Sequence, residues 1–257
     1  MVIYALRLVL FLLVLIAVTT ALTTANNITD ASIEKRSVIN DGYKAATKDY
    51  IVVFGDSITE YGCRPTGFVT KLAEAYKDKL DVVPLPYGGR NAKGGRTEAH
   101  GSTMPEHNKD TNAPSPRLII VEFGTNDSVS EGYYQHLPLF EYLQNMWAIH
   151  DDFADPNSPY YAPKAKIMFV TPGPLGLRMW NKARGFEPHD VPKERDNDQV
   201  LMYGNALKSL AEKIDVPGFD QFFEDGVHLN PEGNVVMFET IMRTIKKNMP
   251  ELLPENL

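Results

Sequence analysis

Ser57, His228 and Asp225 are the residues of this chain whose types and spacing could do covalent chemistry. A serine hydroxyl is a weak nucleophile at neutral pH. It needs a general base to take its proton, and the base needs a carboxylate to orient it. Asp225 stands three residues before His228 in Asp225-Gly226-Val227-His228, so one turn can hold carboxylate and imidazole together. Attack on an acyl carbon builds a tetrahedral oxyanion, which needs donors aimed at it. The backbone N–H of Ser57, the backbone N–H of Gly89 and the side-chain amide of Asn126 are the candidates. Glycine at 89 lets the backbone approach closely, with no Cβ in the way.

These residues sit in polar blocks that close apolar runs. Gly55-Asp56-Ser57-Ile58-Thr59-Glu60 follows Tyr50–Phe54, and Gly124-Thr125-Asn126-Asp127 follows Leu118–Phe123. Tyr87-Gly88-Gly89-Arg90-Asn91 and Asp225–Asn230 follow two weaker strand candidates, 81–87 and 216–219, which Pro84, Pro86, Pro217 and Gly218 argue against. Ile167–Val170 is a further strand, stopped by Pro172-Gly173-Pro174. Between the strands, apolar residues recur at helical spacing: Phe68 to Tyr76, Leu139 to Trp147, and Val200 through Leu207 and Ala211 to Ile214. A closing helix begins with Asn230 as N-cap and Pro231 at its first position. Residues 93–116 hold only three apolar side chains, Ala99, Met104 and Ala113, and read as a mobile surface loop. Strands alternating with helices give an α/β domain with a mostly parallel sheet, whose ligands bind at the carboxyl ends of the strands.

The ordered set of blocks resembles the SGNH (GDSL-type) hydrolase superfamily, and within it the isoamyl acetate-hydrolysing esterases. Arg64-Pro65, Gly67-Phe68, Asp81-Val82-Val83, the eight residues Gln135–Tyr142 and the run Asp225–Asn234 add to the likeness. The resemblance implies a three-layer α/β/α sandwich with a flavodoxin-like parallel sheet. It also implies ester hydrolysis without metal or cofactor, with Ser57 as nucleophile, His228 and Asp225 completing the triad, and Ser57, Gly89 and Asn126 forming the oxyanion hole. A looser superfamily pattern puts Gly95 in the place of Gly89, and the two remain open. The chain departs from its relatives at the polar segment 93–116, where they continue with a helix, and between Val216 and Asp225, where it is shorter. The expected protein is a secreted serine esterase acting on small to medium carboxylic esters. A polysaccharide acetylesterase or a lipase or lysophospholipase of the same superfamily is the alternative. A secreted binding protein without turnover is a further one, which only the shortened segment supports.

Composition bounds the rest. The net charge of −7, with no long basic block, argues against a nucleic-acid binder. The single cysteine, Cys63, excludes an intrachain disulfide and a Cys-based zinc site, and it reads as a small apolar filler. Residues 1–25 have the layout of a secretory signal peptide: Arg7, the apolar run Leu8–Val18, then small residues to Ala25. A membrane anchor is the competing reading, but the run is short for a span of about 20 residues. Residues 26–48 form a linker or pro-segment with a dibasic pair, Lys35-Arg36, and a glycosylation pattern, Asn27-Ile28-Thr29. The hydrolase domain covers 49–250 and a tail 251–257. The expected partner is a small-molecule ester, with no nucleic acid, no metal and no stable membrane insertion of the mature chain.

Several residues also have plainer readings. Ser57 could cap the helix after it, His228 could be structural and Asp225 a turn former, while Asp56 braces the turn. Asn126-Asp127-Ser128 is a formal glycosylation pattern, which an inward-facing Asn126 would leave unmodified. His100 and His107, near Glu98, Glu106 and Asp110, could form a metal site, but spacing in a loop is weak evidence and they read as solvated surface; His136 reads as packing at a helix entrance.

Overall fold

The structure is a computed structural model that describes residues 46–100, 102–108, 110, 112–186, 194–210 and 223–257. The expected signal peptide, the dibasic pair, most of the linker and the weak strand at 216–219 lie outside the described residues. Four strands, β1 (Tyr50–Gly55), β2 (Asp81–Pro86), β3 (Pro116–Glu122) and β4 (Lys166–Val170), form one parallel sheet in the order β2-β1-β3-β4. This is the flavodoxin-like order, in which the chain adds β2 on one side of β1 and β3 on the other. The carboxyl ends of β1 and β3 therefore flank the crevice where the winding reverses. All six residues of β1 are buried, as a continuous apolar run demands when helices cover both faces.

The segment 81–86 pairs with β1 along its whole length despite its two prolines. The N–H of Asp81 donates to Asp49 O and that of Tyr87 to Gly55 O, so the odd-numbered amides face β1. Pro84 and Pro86 are at even positions. Their missing donors point away from β1, to the outer side of the terminal strand, where a ladder loses nothing.

The helices are α1 (Ser57–Gly62), α2 (Phe68–Ala75), α3 (Ala92–Ala99), α4 (Leu139–Ala154), α5 (Leu177–Ala183), α6 (Asn197–Leu210) and α7 (Pro231–Asn248). On one face of the sheet, Phe68 and Leu72 of α2 and Ile241 and Ile245 of α7 join Ile51, Val53, Leu118 and Ile120 in one apolar cluster. On the other, α3 packs on α4, and Phe54 meets the rings of Tyr87 and Phe123 edge-on. Two helices follow the sequence closely. Asn230 caps α7 by accepting from Gly233 N at 2.9 Å, and Val200 and Leu207 are buried in α6 as expected. Ala211 and Ile214 lie outside the described residues. Among the described residues no helix is long and apolar enough to cross a membrane.

Residues 92–99 correct the expectation of a loop over 93–116: they form α3. Asn91 caps it through Gly94 N (2.9 Å), and Asp127 accepts from Ala92 N (2.9 Å). Its buried face is Ala92, Gly95 and Ala99, too small to register as an apolar stripe. Gly95 lies against the Phe123 ring, and a Cβ there would fall 2.5 Å from Phe123 Cζ. Helix propensity alone favours alanine over glycine by about 1 kcal/mol. Overpacking opposes it, so Gly95→Ala should destabilise the fold by about 1–3 kcal/mol in urea denaturation. A stabilised variant would show that the ring moves aside freely.

Candidate active site

Asp56, not Ser57, caps α1. Its carboxylate accepts from Ile58 N at 2.8 Å, which makes Ser57 the first residue of the helix and leaves its hydroxyl out of the capping. Ser57 Oγ lies 3.0 Å from His228 Nε2. The other ring nitrogen of His228, Nδ1, lies 2.8 Å from Asp225 Oδ2. Asp225 Oδ1 accepts from the backbone N–H groups of Val227 and His228, both at 2.9 Å. Burial works against ionising this carboxyl. The His228 ring and the two backbone donors outweigh it and hold the group down at about 2.

The loop that carries these two residues is pinned on all sides. Phe223 bridges to Leu229, and Glu224 N donates to His228 O at 2.8 Å. Arg64 Nη1 pairs with Glu224 Oε2 at 2.9 Å. Gly226 has φ +94°, and a Cβ there would fall 2.0 Å from Gly176 O at the start of α5. Asn234 in α7 accepts from Phe68 N (2.8 Å) and donates to Leu229 O (3.0 Å), which ties the loop's exit to α2.

Gly89 and Asn126 come to the same end of the sheet from the segments after β2 and β3. Gly89 has φ +75°, a backbone conformation glycine adopts freely, and its N–H has no acceptor among the described residues. The N–H of Gly95, by contrast, donates to Asn91 O within α3 at 2.9 Å. Asn126 is buried, with Nδ2 donating to Arg90 O at 2.9 Å and to Asp56 Oδ2 at 3.3 Å. Its Oδ1 accepts from Gln135 Nε2 at 3.0 Å and from Arg195 Nη2 at 3.4 Å. An amide so enclosed offers no room for a glycan.

Three buried carboxyl groups lie beneath this surface: Asp56, Glu122 and Asp127. Burial raises all three, and the proximity of Asp56 raises Glu122 further. Asp127 is pushed up to about 7 by burial, and its Oδ2 has no hydrogen-bond partner among the described residues. The unfolded chain ionises this group near its ordinary value of about 4. Its contribution to stability is therefore lost as pH rises from there to about 7. The melting temperature should fall between about pH 4 and pH 7, and Asp127→Asn should flatten that fall whatever its absolute stability. An identical slope in the two proteins would refute the assignment.

Three residues of the site carry no chemical signature in the sequence. Tyr61 stacks on His228, with ring centroids 3.9 Å apart and planes at 27°, and the Arg64 guanidinium covers its other face at 3.6 Å. Helical spacing was the available signal, since Tyr61 is one turn beyond Ser57. Gln135 lies in the run Gln135–Tyr142 of the family resemblance, but without a group that reacts. Arg195 is buried beside Thr125 O, at 2.7 Å, in a position no local pattern marks. Of the other histidines, His136 Nδ1 donates to Val129 O (2.6 Å) ahead of α4, in keeping with the packing role expected. His100 is only partly solvated: it bonds Asp152 Oδ2 at 2.8 Å beside the Arg96–Asp152 ion pair and lies against the Tyr160 ring. His107 rests on Tyr161. Cys63 is exposed rather than a core filler, and its thiol donates to Thr59 O at 3.3 Å.

A parallel sheet in this order, with serine, histidine, aspartate and asparagine gathered at its carboxyl end, defines a hydrolase of the SGNH class. The sequence matches the GDSL-like lipase/acylhydrolase family over residues 53–236, and the chain belongs to that family. It is a carboxylic ester hydrolase. A GDSL esterase/lipase of Arabidopsis thaliana is 29% identical, over 79% of this chain and 89% of that one. The human isoamyl acetate-hydrolyzing esterase 1 homolog is 27% identical, over 79% of this chain and 85% of its own. Among solved structures, an acetyl xylan esterase superposes with a TM-score of 0.52 at 17% identity, covering 76% of this chain and 99% of that one. A lipase/acylhydrolase from Enterococcus faecalis gives 0.50 at 18% identity, over 77% and 96%. At such identities the superpositions establish the shared fold.

Proposed function

We propose that the protein is a secreted serine esterase that hydrolyses small to medium carboxylic esters through an acyl-enzyme at Ser57. The observation that carries this reading is the continuous chain of hydrogen-bond distances from Ser57 Oγ to His228 (3.0 Å) and from His228 to Asp225 (2.8 Å). Ser57 Oγ attacks the ester carbonyl carbon while His228 Nε2 takes its proton. The Ser57 and Gly89 backbone N–H groups and the Asn126 amide receive the oxyanion. Within Asn126 the hydrogen on the longer contact, 3.3 Å to Asp56, is the one drawn to the substrate oxygen. Gly89 takes this role over Gly95 because the Gly95 N–H is spent inside α3. His228 then gives its proton to the departing alkoxide. Water attacks the acyl carbon, His228 takes the water's proton, and the acid leaves as that proton returns to Ser57. Asp225 keeps the imidazole in the tautomer that accepts at Nε2.

Secretion rests on the sequence of residues 1–25 alone. The same attack serves acetylated polysaccharides and lipids, and an ester series of increasing acyl length, run beside acetyl xylan and lysophospholipid, separates these substrates. The decisive test of the mechanism is a fluorophosphonate probe. It should label Ser57 stoichiometrically. A folded protein that hydrolyses esters yet takes the label nowhere would overturn the reading.

A further inference from the structure

Gln135 stands in the segment between β3 and α4, away from every block that closes a strand. Its side-chain amide nonetheless joins two of them. Nε2 donates to Gly89 O at 2.9 Å and to Asn126 Oδ1 at 3.0 Å. The amide is itself oriented, because its Oε1 lies 3.5 Å from Arg195 Nη2. Arg195 is buried over the Trp180 ring, 4.9 Å from its centroid, and its Nη1 donates to Thr125 O at 2.7 Å. The backbone of Gln135 is fixed from a third side, where Asn91 Nδ2 donates to Gln135 O at 3.0 Å.

We propose that Gln135 is a positioning residue for the oxyanion pocket, tying the two contributing segments into one rigid unit and holding the oxygen end of the Asn126 amide, while Arg90 O and Asp56 hold its nitrogen end. The inference rests on the reading of Ser57 as nucleophile. An asparagine amide has nearly the same shape with nitrogen and oxygen exchanged. In the exchanged orientation Asn126 would present an acceptor to an oxyanion and repel it. The acceptors at Nδ2 and the donors at Oδ1 together oppose that exchange, and of the donors the Gln135 contact at 3.0 Å is shorter than the Arg195 contact at 3.4 Å. Removing the Gln135 donors also releases the carbonyl of Gly89, whose N–H is the backbone donor on the far wall. The loss falls on the transition state, where the oxyanion forms, rather than on ground-state binding.

Gln135→Met keeps the length of the side chain and removes both donors. On a soluble short-chain p-nitrophenyl ester it should lower kcat about 10- to 100-fold and leave KM within about twofold. Gln135→Glu keeps the shape but turns carboxylate oxygens toward Gly89 O and Asn126 Oδ1, and should cost at least as much. It also carries the test if the Met variant fails to fold. The readout specific to positioning is a double-mutant cycle. In an Asn126→Ala background, Gln135→Met should cost severalfold less than in the wild type, because one of its two targets is gone. A folded Gln135→Met enzyme with wild-type kcat overturns the proposal. So does an equal loss in both backgrounds, and so does a rise confined to KM. These outcomes are distinct from failure of the Ser57 reading, in which Ser57→Ala would itself retain turnover.

Discussion

Ser57→Ala should reduce ester turnover by about 10³-fold or more while leaving the fold and substrate binding close to those of the wild type. The hydroxyl is not part of the scaffold. Asp56 supplies the cap of α1, so loss of Ser57 Oγ removes no bond that starts the helix. On the proposed mechanism, deleting one oxygen beside His228 Nε2 removes the atom that forms the acyl-enzyme, and what remains is the weak catalysis of an oxyanion pocket acting on water. The measurement is steady-state hydrolysis of a p-nitrophenyl ester beside fluorophosphonate labelling and a melting curve. A variant that turns over at the wild-type rate would remove the mechanism altogether.

Asp225→Asn should cost about 10³- to 10⁴-fold in kcat through the tautomer of His228 rather than through the loop. The carboxylate serves two sets of donors at once. Oδ1 receives the backbone N–H groups of Val227 and His228, and Oδ2 faces the ring Nδ1. An asparagine can keep Oδ1 on the backbone donors only by turning its NH₂ toward Nδ1. That ring nitrogen must then accept, and the imidazole proton moves to Nε2, where it points at Ser57 and cannot take a proton from it. The opposite orientation sets an NH₂ against two backbone donors, at about 1–3 kcal/mol for each group left unpaired. The same substitution reports on stability. The folded carboxyl is held down at about 2, so its stabilisation is complete above the ordinary carboxylate range and is lost as pH falls from about 4 toward 2. The melting temperature of the variant should therefore change less over that acid interval. Full turnover in Asp225→Asn would separate the carboxylate from the chemistry.

How much of this was legible in the residues depends on the kind of signal each left. β1 and β3 announce themselves as unbroken apolar runs, because a strand covered on both faces needs nothing else. The pairing of 81–86 was hidden by its prolines, since the sequence does not say which side of a strand a missing N–H faces. The helix α3 was hidden because its buried face is two alanines and a glycine, which pack well by being small and so leave no apolar pattern. At the site, Ser57, Asp225 and His228 could be singled out because hydroxyl, carboxylate and imidazole are the groups such chemistry needs, and the structure brings them within hydrogen-bonding distance. Gln135, Arg195 and Tyr61 react with nothing. Their part is set by three-dimensional neighbours far along the chain, and for Arg195 a charged residue in a polar stretch reads as surface until its carbonyl and indole partners are seen.

The outward rim of β2 bears on how copies of this molecule meet one another. A strand from a second chain laid along that rim would find two successive donor positions empty, at Pro84 and Pro86, and a rigid ring at each. Fibrous self-assembly by sheet extension is discouraged there, so the prolines that complicate reading the strand also protect a concentrated solution of the enzyme.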